Sequence, residues 1–202
     1  MKTIAWDVDD VLNDLMRTWF ERHWVPSHPE CPISYEQISE NPPHELLGVS
    51  LSEYLDSLDG FRLSETAREI APVPEMLAWF QQYGEQQRHI ALTATPLHTA
   101  PISSAWVMRH FGYWIRSFHV IPSTRQAEQI PEYDRSKEDF LKRYGKIDIL
   151  IDDNPLIITA ARNMRIQTLL IPRPWNHSKL TLSEAINALI GLSEKTQPIP
   201  RD

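Results

Sequence analysis

Five short apolar runs, at 3–6, 89–93, 118–121, 147–151 and 167–171, limit what this chain can fold into more than any other feature. Runs of this length suit buried strands better than helices, and the last four are separated by amphipathic stretches with helical spacing. After Pro72-Val73-Pro74, the residues Met76, Leu77, Trp79, Phe80 and Tyr83 mark a helical face that ends at Gly84. From Ser103, Trp106, Val107, His110 and Phe111 mark a second, closed by Gly112. Ser136-Lys137-Glu138-Asp139 reads as a capping box opening a helix that stops near Gly145. Ile157, Ile158 and Ala161 belong to a further helix, and Leu182 to Leu192 to a terminal one. Such alternation predicts an α/β fold: a Rossmann-like, doubly wound parallel sheet covered on both faces, with ligands at the carboxyl ends of its strands.

Residues 14–71 break the rhythm. They hold no convincing strand, and instead offer helical pieces near 14–24, 34–40, 51–59 and 64–70, interrupted by Pro26, Pro29, Pro32, Pro42 and Pro43. The expected organisation is a core of 1–13 and 72–202 with a small helical cap, 14–71, inserted after the first strand. The tail 197–202 is expected to be loose.

Two of the apolar runs end in acids. Thr3-Ile4-Ala5-Trp6 leads into Asp7-Val8-Asp9-Asp10, and Ile149-Leu150-Ile151 into Asp152-Asp153. An acid after a strand is commonly a turn former or a helix N-cap. Bunched like charges, however, raise one another's pKa and repel, so a fold keeps them together mainly where a cation or a reaction needs them. Brought to one sheet edge, their oxygens would suit a hard divalent ion, Mg2+ above all.

Composition narrows the function classes. A chain of 202 residues that is 42% hydrophobic can bury a full core. Its single cysteine, Cys31, excludes an internal disulfide and suits a reducing compartment. No apolar run reaches spanning length and none ahead of Asp7 is long enough for a signal peptide, so a soluble cytoplasmic protein without membrane partners is expected. A net charge of −7 disfavours a nucleic-acid polymer as partner, while a bound divalent ion would still let a small phosphate dock among acids. Nothing here bears on oligomeric state.

With Asp7-Val8-Asp9-Asp10-Val11-Leu12 at the first strand, Thr93 after Ile90-Ala91-Leu92, a downstream lysine and then Asp152-Asp153, the chain resembles the haloacid dehalogenase-like superfamily of aspartate-nucleophile phosphohydrolases. Within it, the wording Val11-Leu12-Asn13-Asp14 is similar to the 5'(3')-deoxyribonucleotidase group, with Asp10 where that group has glycine. Further echoes are Gly60-Phe61, Pro72-Val73-Pro74, Trp106-Val107 and Phe111-Gly112. The resemblance implies that Asp7 is the nucleophile and Asp9 the acid and base, and that Thr93 and the lysine grip phosphate. It further implies that Asp7, the Asp9 main-chain carbonyl and Asp152 hold Mg2+ while Asp153 orients its waters. Relatives carry T-R-D-K after the third strand, whereas this chain has Thr124-Arg125-Gln126-Ala127 and no lysine before Lys137. Lys137, at a helix N-terminus that itself favours an anion, is the expected cation, with Lys142 and Arg125 as alternatives.

Other candidates have structural explanations. His23, His28 and Cys31, with His44, suggest zinc but lack a sensible spacing. Trp19, Phe20 and Trp24 have the spacing of a packed helix face as much as of a base-stacking platform. Pro172-Arg173-Pro174-Trp175-Asn176 borders the active edge or is only a rigid turn. The resulting expectation is a Mg2+-dependent phosphomonoester hydrolase, a 5'-nucleotidase in its finest form. The alternatives are a sugar-phosphate or other small-metabolite phosphatase and a catalytically weak metal-binding regulatory protein.

Overall fold

The computed structural model describes residues 1–123, 125, 130–131 and 133–194. Thr124, Gln126 and Ala127, where the T-R-D-K wording departs, and the tail 197–202 lie outside the described residues. Five strands, β1 Thr3–Trp6, β2 Arg88–Thr95, β3 Ile115–Pro122, β4 Ile149–Asp152 and β5 Gln167–Leu170, pair in the order β3-β2-β1-β4-β5, all parallel. The helices are α1 Leu15–Trp19, α2 Leu51–Leu63, α3 Glu65–Arg68, α4 Pro74–Tyr83, α5 Ala100–Phe111, α6 Lys137–Tyr144, α7 Pro155–Asn163 and α8 Leu182–Glu194.

The central strands are apolar throughout because both of their faces are covered. Ile4, Trp6, Ala91, Ile149 and Ile151 pack with Trp79 and Phe80 of α4, Val107 and Phe111 of α5 and Leu189 of α8. The alternate residues Ala5, Ile90, Leu92 and Leu150 pack on the opposite face with Phe140 and Leu141 of α6 and Ala161 of α7. Period-two alternation thus sorts one strand's side chains between two helix layers.

Between Asn13 and Pro72 the described chain forms no strand. It builds a separate apolar cluster from Trp19, Phe20, Trp24, Tyr54, Leu58 and Phe61, joined by Trp175 of the core. The aromatic trio is therefore packed interior, not a platform. The stretch near 34–40 gives one 3-10 turn, Tyr35–Gln37, capped by Ser34. α2 runs beyond the expected end at 59, through Gly60 to Leu63; a helix interior tolerates one glycine at about 1 kcal/mol. α5 starts ahead of Ser103, since Pro101 occupies the first turn, where its missing N–H costs nothing. Gly145 closes α6 at φ 68°, where a side chain would be strained.

One core contact carries a pH-dependence. Trp6 Nε1 donates to His89 Nδ1 at 3.0 Å, and His89 Nε2 donates to the Gly84 carbonyl at 2.8 Å. A neutral ring satisfies both bonds, whereas a second proton would have to displace the indole. Burial pushes the imidazole down from 6.5 to about 4. Between those values the unfolded chain holds more protons than the native one, so stability falls as pH falls, by on the order of 2 kcal/mol near pH 4.5. Asp10 and Asp153, pushed up to about 7 chiefly by burial, act in the opposite sense, their contribution falling as pH rises. The difference between wild type and His89→Gln isolates the ring: denaturant titrations near neutrality and at about pH 4.5 should show the variant losing on the order of 2 kcal/mol less on acidification. Equal losses would refute this account.

Candidate active site

Asp7 follows the last residue of β1, and its N–H donates to the Ile151 carbonyl at 2.9 Å, so parallel pairing with β4 fixes its height. Asp152 is the last residue of β4. Thr93 lies two residues before the end of β2, short of the strand's end and level with Val120 of β3. The order β2-β1-β4 therefore sets Thr93, Asp7 and Asp152 side by side at the carboxyl edge. One cleft is lined by Asp7, Asp9, Thr93, Lys137, Asp152 and Asp153, so all six expected site residues meet there.

After Asp7 the chain reverses. The Leu12 N–H donates to the Val8 carbonyl at 2.9 Å, and Asp10 sits at φ 62°. That left-handed position is where the resembling sequences have glycine; aspartate is among the residues that tolerate it. Asp10 is further held by its Oδ1, which accepts from Met16 N at 3.0 Å, and by its carbonyl, which accepts from Arg173 Nε at 2.6 Å. The turn presents Asp9, whose carboxylate accepts from Asn13 Nδ2 at 3.4 Å and Arg62 Nη2 at 3.2 Å.

Asp7, Asp152 and Asp153 are buried, and each offers an oxygen such that the three lie within 4.8 Å of one another. Lys137 lies among them. Its Nζ is 2.7 Å from Asp7 Oδ2 and 2.7 Å from Asp152 Oδ2, with the residue 5% exposed. Ser136 caps α6 through its hydroxyl, which accepts from Asp139 N, and this cap aims Lys137 at the acids. Lys142 instead pairs with Glu138 on the surface, and Arg125 holds Asp59. Burial pushes the Asp7 carboxyl well above the ordinary carboxylate range, against the pull of Lys137 and helped by the Asp152 and Asp153 charges. Burial, followed by the Asp152 charge, pushes Asp153 up to about 7. For Lys137, burial disfavours the ammonium, but Asp152 and Asp7 outweigh it and hold its pKa above the usual lysine value.

Three buried carboxylates against one ammonium leave a negative excess in an all-oxygen donor set. A small hard divalent ion fits that set. The Asp9 carboxylate is engaged by Arg62 and Asn13, consistent with an expected metal contribution through its main-chain carbonyl alone. Among the described residues, Asp7, Asp152 and Asp153 form the one group of three metal-ligating side chains; His28 instead stacks on Trp24, with ring centroids 3.8 Å apart.

The sequence reading left the loop after β5 open between a pocket border and a turn, and missed a second set of residues. Trp175 Nε1 donates to Asp153 Oδ2 at 2.8 Å and Asn176 Nδ2 to the Asp153 carbonyl at 2.8 Å. The loop after β5 therefore anchors the acid and is more than a turn. From α2, Arg62 bridges Asp9 and Asp59, and Asp59 also takes two bonds from Arg125, at 2.6 and 2.9 Å.

No family model matches the sequence, and no curated protein matches it. Among solved structures, a haloacid dehalogenase-like family protein of Streptococcus pneumoniae shares 14% identity and a TM-score of 0.58 over 95% of this chain and 97% of its own. A protein of Lactobacillus delbrueckii subsp. bulgaricus, proposed to be a phosphoglycolate phosphatase, shares 12% identity and a TM-score of 0.57 over 91% of each chain. A proposed haloacid dehalogenase-like hydrolase of Bacillus subtilis, bound to magnesium, shares 14% identity and a TM-score of 0.53 over 96% of this chain and 98% of its own. At such identities the likeness shows the fold: a five-stranded parallel sheet with flanking helices in the haloacid dehalogenase-like, Rossmann-type arrangement. Among the described residues no helix is long and apolar enough to cross a membrane.

Proposed function

We propose that the chain is a Mg2+-dependent phosphomonoester hydrolase working through an aspartyl-phosphate, and that 14–71 is a cap selecting a small phosphorylated substrate. The observation carrying this reading is Lys137 Nζ, 2.7 Å from both Asp7 and Asp152, beside a buried Thr93 hydroxyl that has no hydrogen-bond partner among the described residues. A carboxylate that attacks a phosphate needs positive charge around it, and an unmet hydroxyl suits a phosphate oxygen.

In the first step an Asp7 oxygen bonds to phosphorus, the P–O bond to the alcohol breaks, and Asp9 gives its proton to the leaving oxygen. In the second, Asp9 takes a proton from water, the water oxygen bonds to phosphorus, and Asp7 leaves as a carboxylate with phosphate released. Lys137 and Thr93 hold the phosphoryl oxygens throughout. Asp7, Asp152 and the Asp9 carbonyl would hold Mg2+, with Asp153 beside them, and the ion would supply charge neutralisation of the phosphate. We place the reaction in the cytoplasm, where the unpaired Cys31 stays a thiol.

For the substrate, the resemblance of the first motif points to nucleoside 5'-monophosphates. A second reading, a small acidic metabolite phosphate, is favoured by Arg62 in the cleft wall, where Tyr54 is the one aromatic residue among the described residues. Phosphate release across nucleotides and sugar phosphates tests both. Chelation should silence the enzyme and magnesium restore it, with calcium a poor substitute because of its looser coordination shell. Asp152→Ala should weaken magnesium binding by calorimetry at least about tenfold. Full activity in chelator would end the metal reading, and no release from any ester would favour a regulatory protein.

A further inference from the structure

A second recess shares Asp9, Leu15 and Arg62 with the main cleft and is further lined by Asn13, Ser103 and Trp106. Two buried polar atoms of its lining, Arg62 Nε and Ser103 Oγ, have no hydrogen-bond partner among the described residues. Unmet buried donors are uncommon in folded proteins and call for a partner, whether water or a ligand.

The two arginines on Asp59 differ in one respect that matters. Arg125 uses the Nε/Nη2 edge of its guanidinium on both Asp59 oxygens, at 2.6 and 2.9 Å, the fork geometry that binds carboxylates most strongly. Arg62 reaches Asp59 through Nη1 alone, at 3.1 Å. Its own Nε/Nη2 edge has one donor unmet and the other 3.2 Å from Asp9, longer than the usual ~2.7–2.9 Å of a charge-assisted bond. An edge shaped for a bidentate anion is thus left largely unfilled at a residue that contacts Asp9, the acid proposed to protonate the leaving group. The transferring phosphoryl group already has Lys137 and Thr93 on the Asp7 side, so Arg62 serves the other end of the substrate.

We propose that the Nε/Nη2 edge of Arg62 binds a second anionic group on the alcohol portion of the substrate, so that preferred substrates are phosphate monoesters bearing a carboxylate or a second phosphate close to the ester oxygen. This rests on the phosphomonoesterase reading of the Asp7 centre, and it chooses the acidic metabolite over the nucleoside monophosphate. Asp59, held by Arg125, is a positioning residue that fixes the guanidinium plane.

Steady-state kcat/KM with magnesium on matched esters tests it. 3-Phosphoglycerate and glycerol 3-phosphate differ only in a carboxylate against a hydroxymethyl group; propane-1,3-diol bisphosphate against 3-hydroxypropyl phosphate asks the same of a second phosphate. Deoxyadenosine 5'-monophosphate supplies the nucleotide arm. The anionic member of at least one pair should be preferred at least about tenfold, the lower range for a charged hydrogen bond, and should also exceed the nucleotide. Whichever pair shows the preference identifies the anion. Arg62→Gln should bring that ratio close to one, and Arg62→Lys, which keeps the charge without the fork, should retain part of it. Circular dichroism checks that each variant is folded, and if Arg62→Gln is not, the partial loss in Arg62→Lys decides. Ratios near one in wild type, a nucleotide preference, or a ratio unchanged in a folded variant would overturn the inference while leaving the phosphatase reading intact. Failure to hydrolyse any of these esters or p-nitrophenyl phosphate would overturn that reading and the inference with it.

Discussion

Asp7→Asn is expected to reduce phosphate release by at least about four orders of magnitude while the protein stays folded, because a carboxamide fills the same space but is a very poor nucleophile toward phosphorus. Its stability should not fall. The amide keeps the oxygen that accepts from Val8 N, and Lys137 keeps Asp152 as a partner, so the melting temperature should stay near that of the wild type. Asp9→Asn should behave differently. Proton donation typically contributes about 10² to 10⁴, and it matters least when the leaving group needs no proton, so p-nitrophenyl phosphate should be spared relative to an alkyl ester. Single-turnover assays with both esters, alongside calorimetric melts, separate the two. Near-normal turnover in the Asp7 variant would show that the nucleophile is misassigned.

Lys137→Met should combine effects of opposite sign. With the ammonium gone, Asp7 and Asp152 lose the cation 2.7 Å from each, and breaking such a buried pair typically costs about 3–5 kcal/mol. Turnover should fall by at least about a thousandfold, since a preorganised donor to the phosphoryl oxygens is lost. Magnesium, in contrast, should bind more tightly, because a like charge has left its ligand set. Calorimetric titration, denaturant melts and kinetics measure the three separately. A purely structural lysine would give the stability loss without the thousandfold fall in turnover of the folded enzyme. Lys142→Ala, on a half-exposed pair with Glu138, should stay within about 0.5 kcal/mol of wild type with unchanged kinetics.

The strands were legible because burial on both faces writes an unbroken apolar run into the sequence, as in Ile149-Leu150-Ile151. The expected site residues were legible for a related reason, since the acids stand where those runs end and parallel pairing brings the ends together. Lys137 was found through its capping box, a local signal. What stayed hidden depends on tertiary placement. Arg62 lies beyond Gly60, where the sequence suggested that the helix had already ended, and nothing local marks an arginine that contacts a residue 53 positions away. Trp175 and Asn176 were visible only as a border of the active edge or a turn, because their partners lie across the sheet edge rather than along the chain. Asp10 was visible as a departure from glycine, but its φ of 62° is a property of the folded turn.

The helical segment between Asn13 and Pro72 enters and leaves the sheet at a single point. Asn13 and Pro72 form an isolated antiparallel bridge, and the Val73 N–H donates to the Leu12 carbonyl at 2.9 Å. Chain ends already pinned together make insertion length cheap to vary, because loop-closure entropy grows only logarithmically with the residues enclosed. Changes of length in that segment, including the helix that carries Arg62, would therefore leave undisturbed the register that sets Asp7 beside Asp152. On such a neck, if 14–71 is the substrate-selecting cap proposed above, drift in substrate choice and persistence of chemistry would be inherited separately.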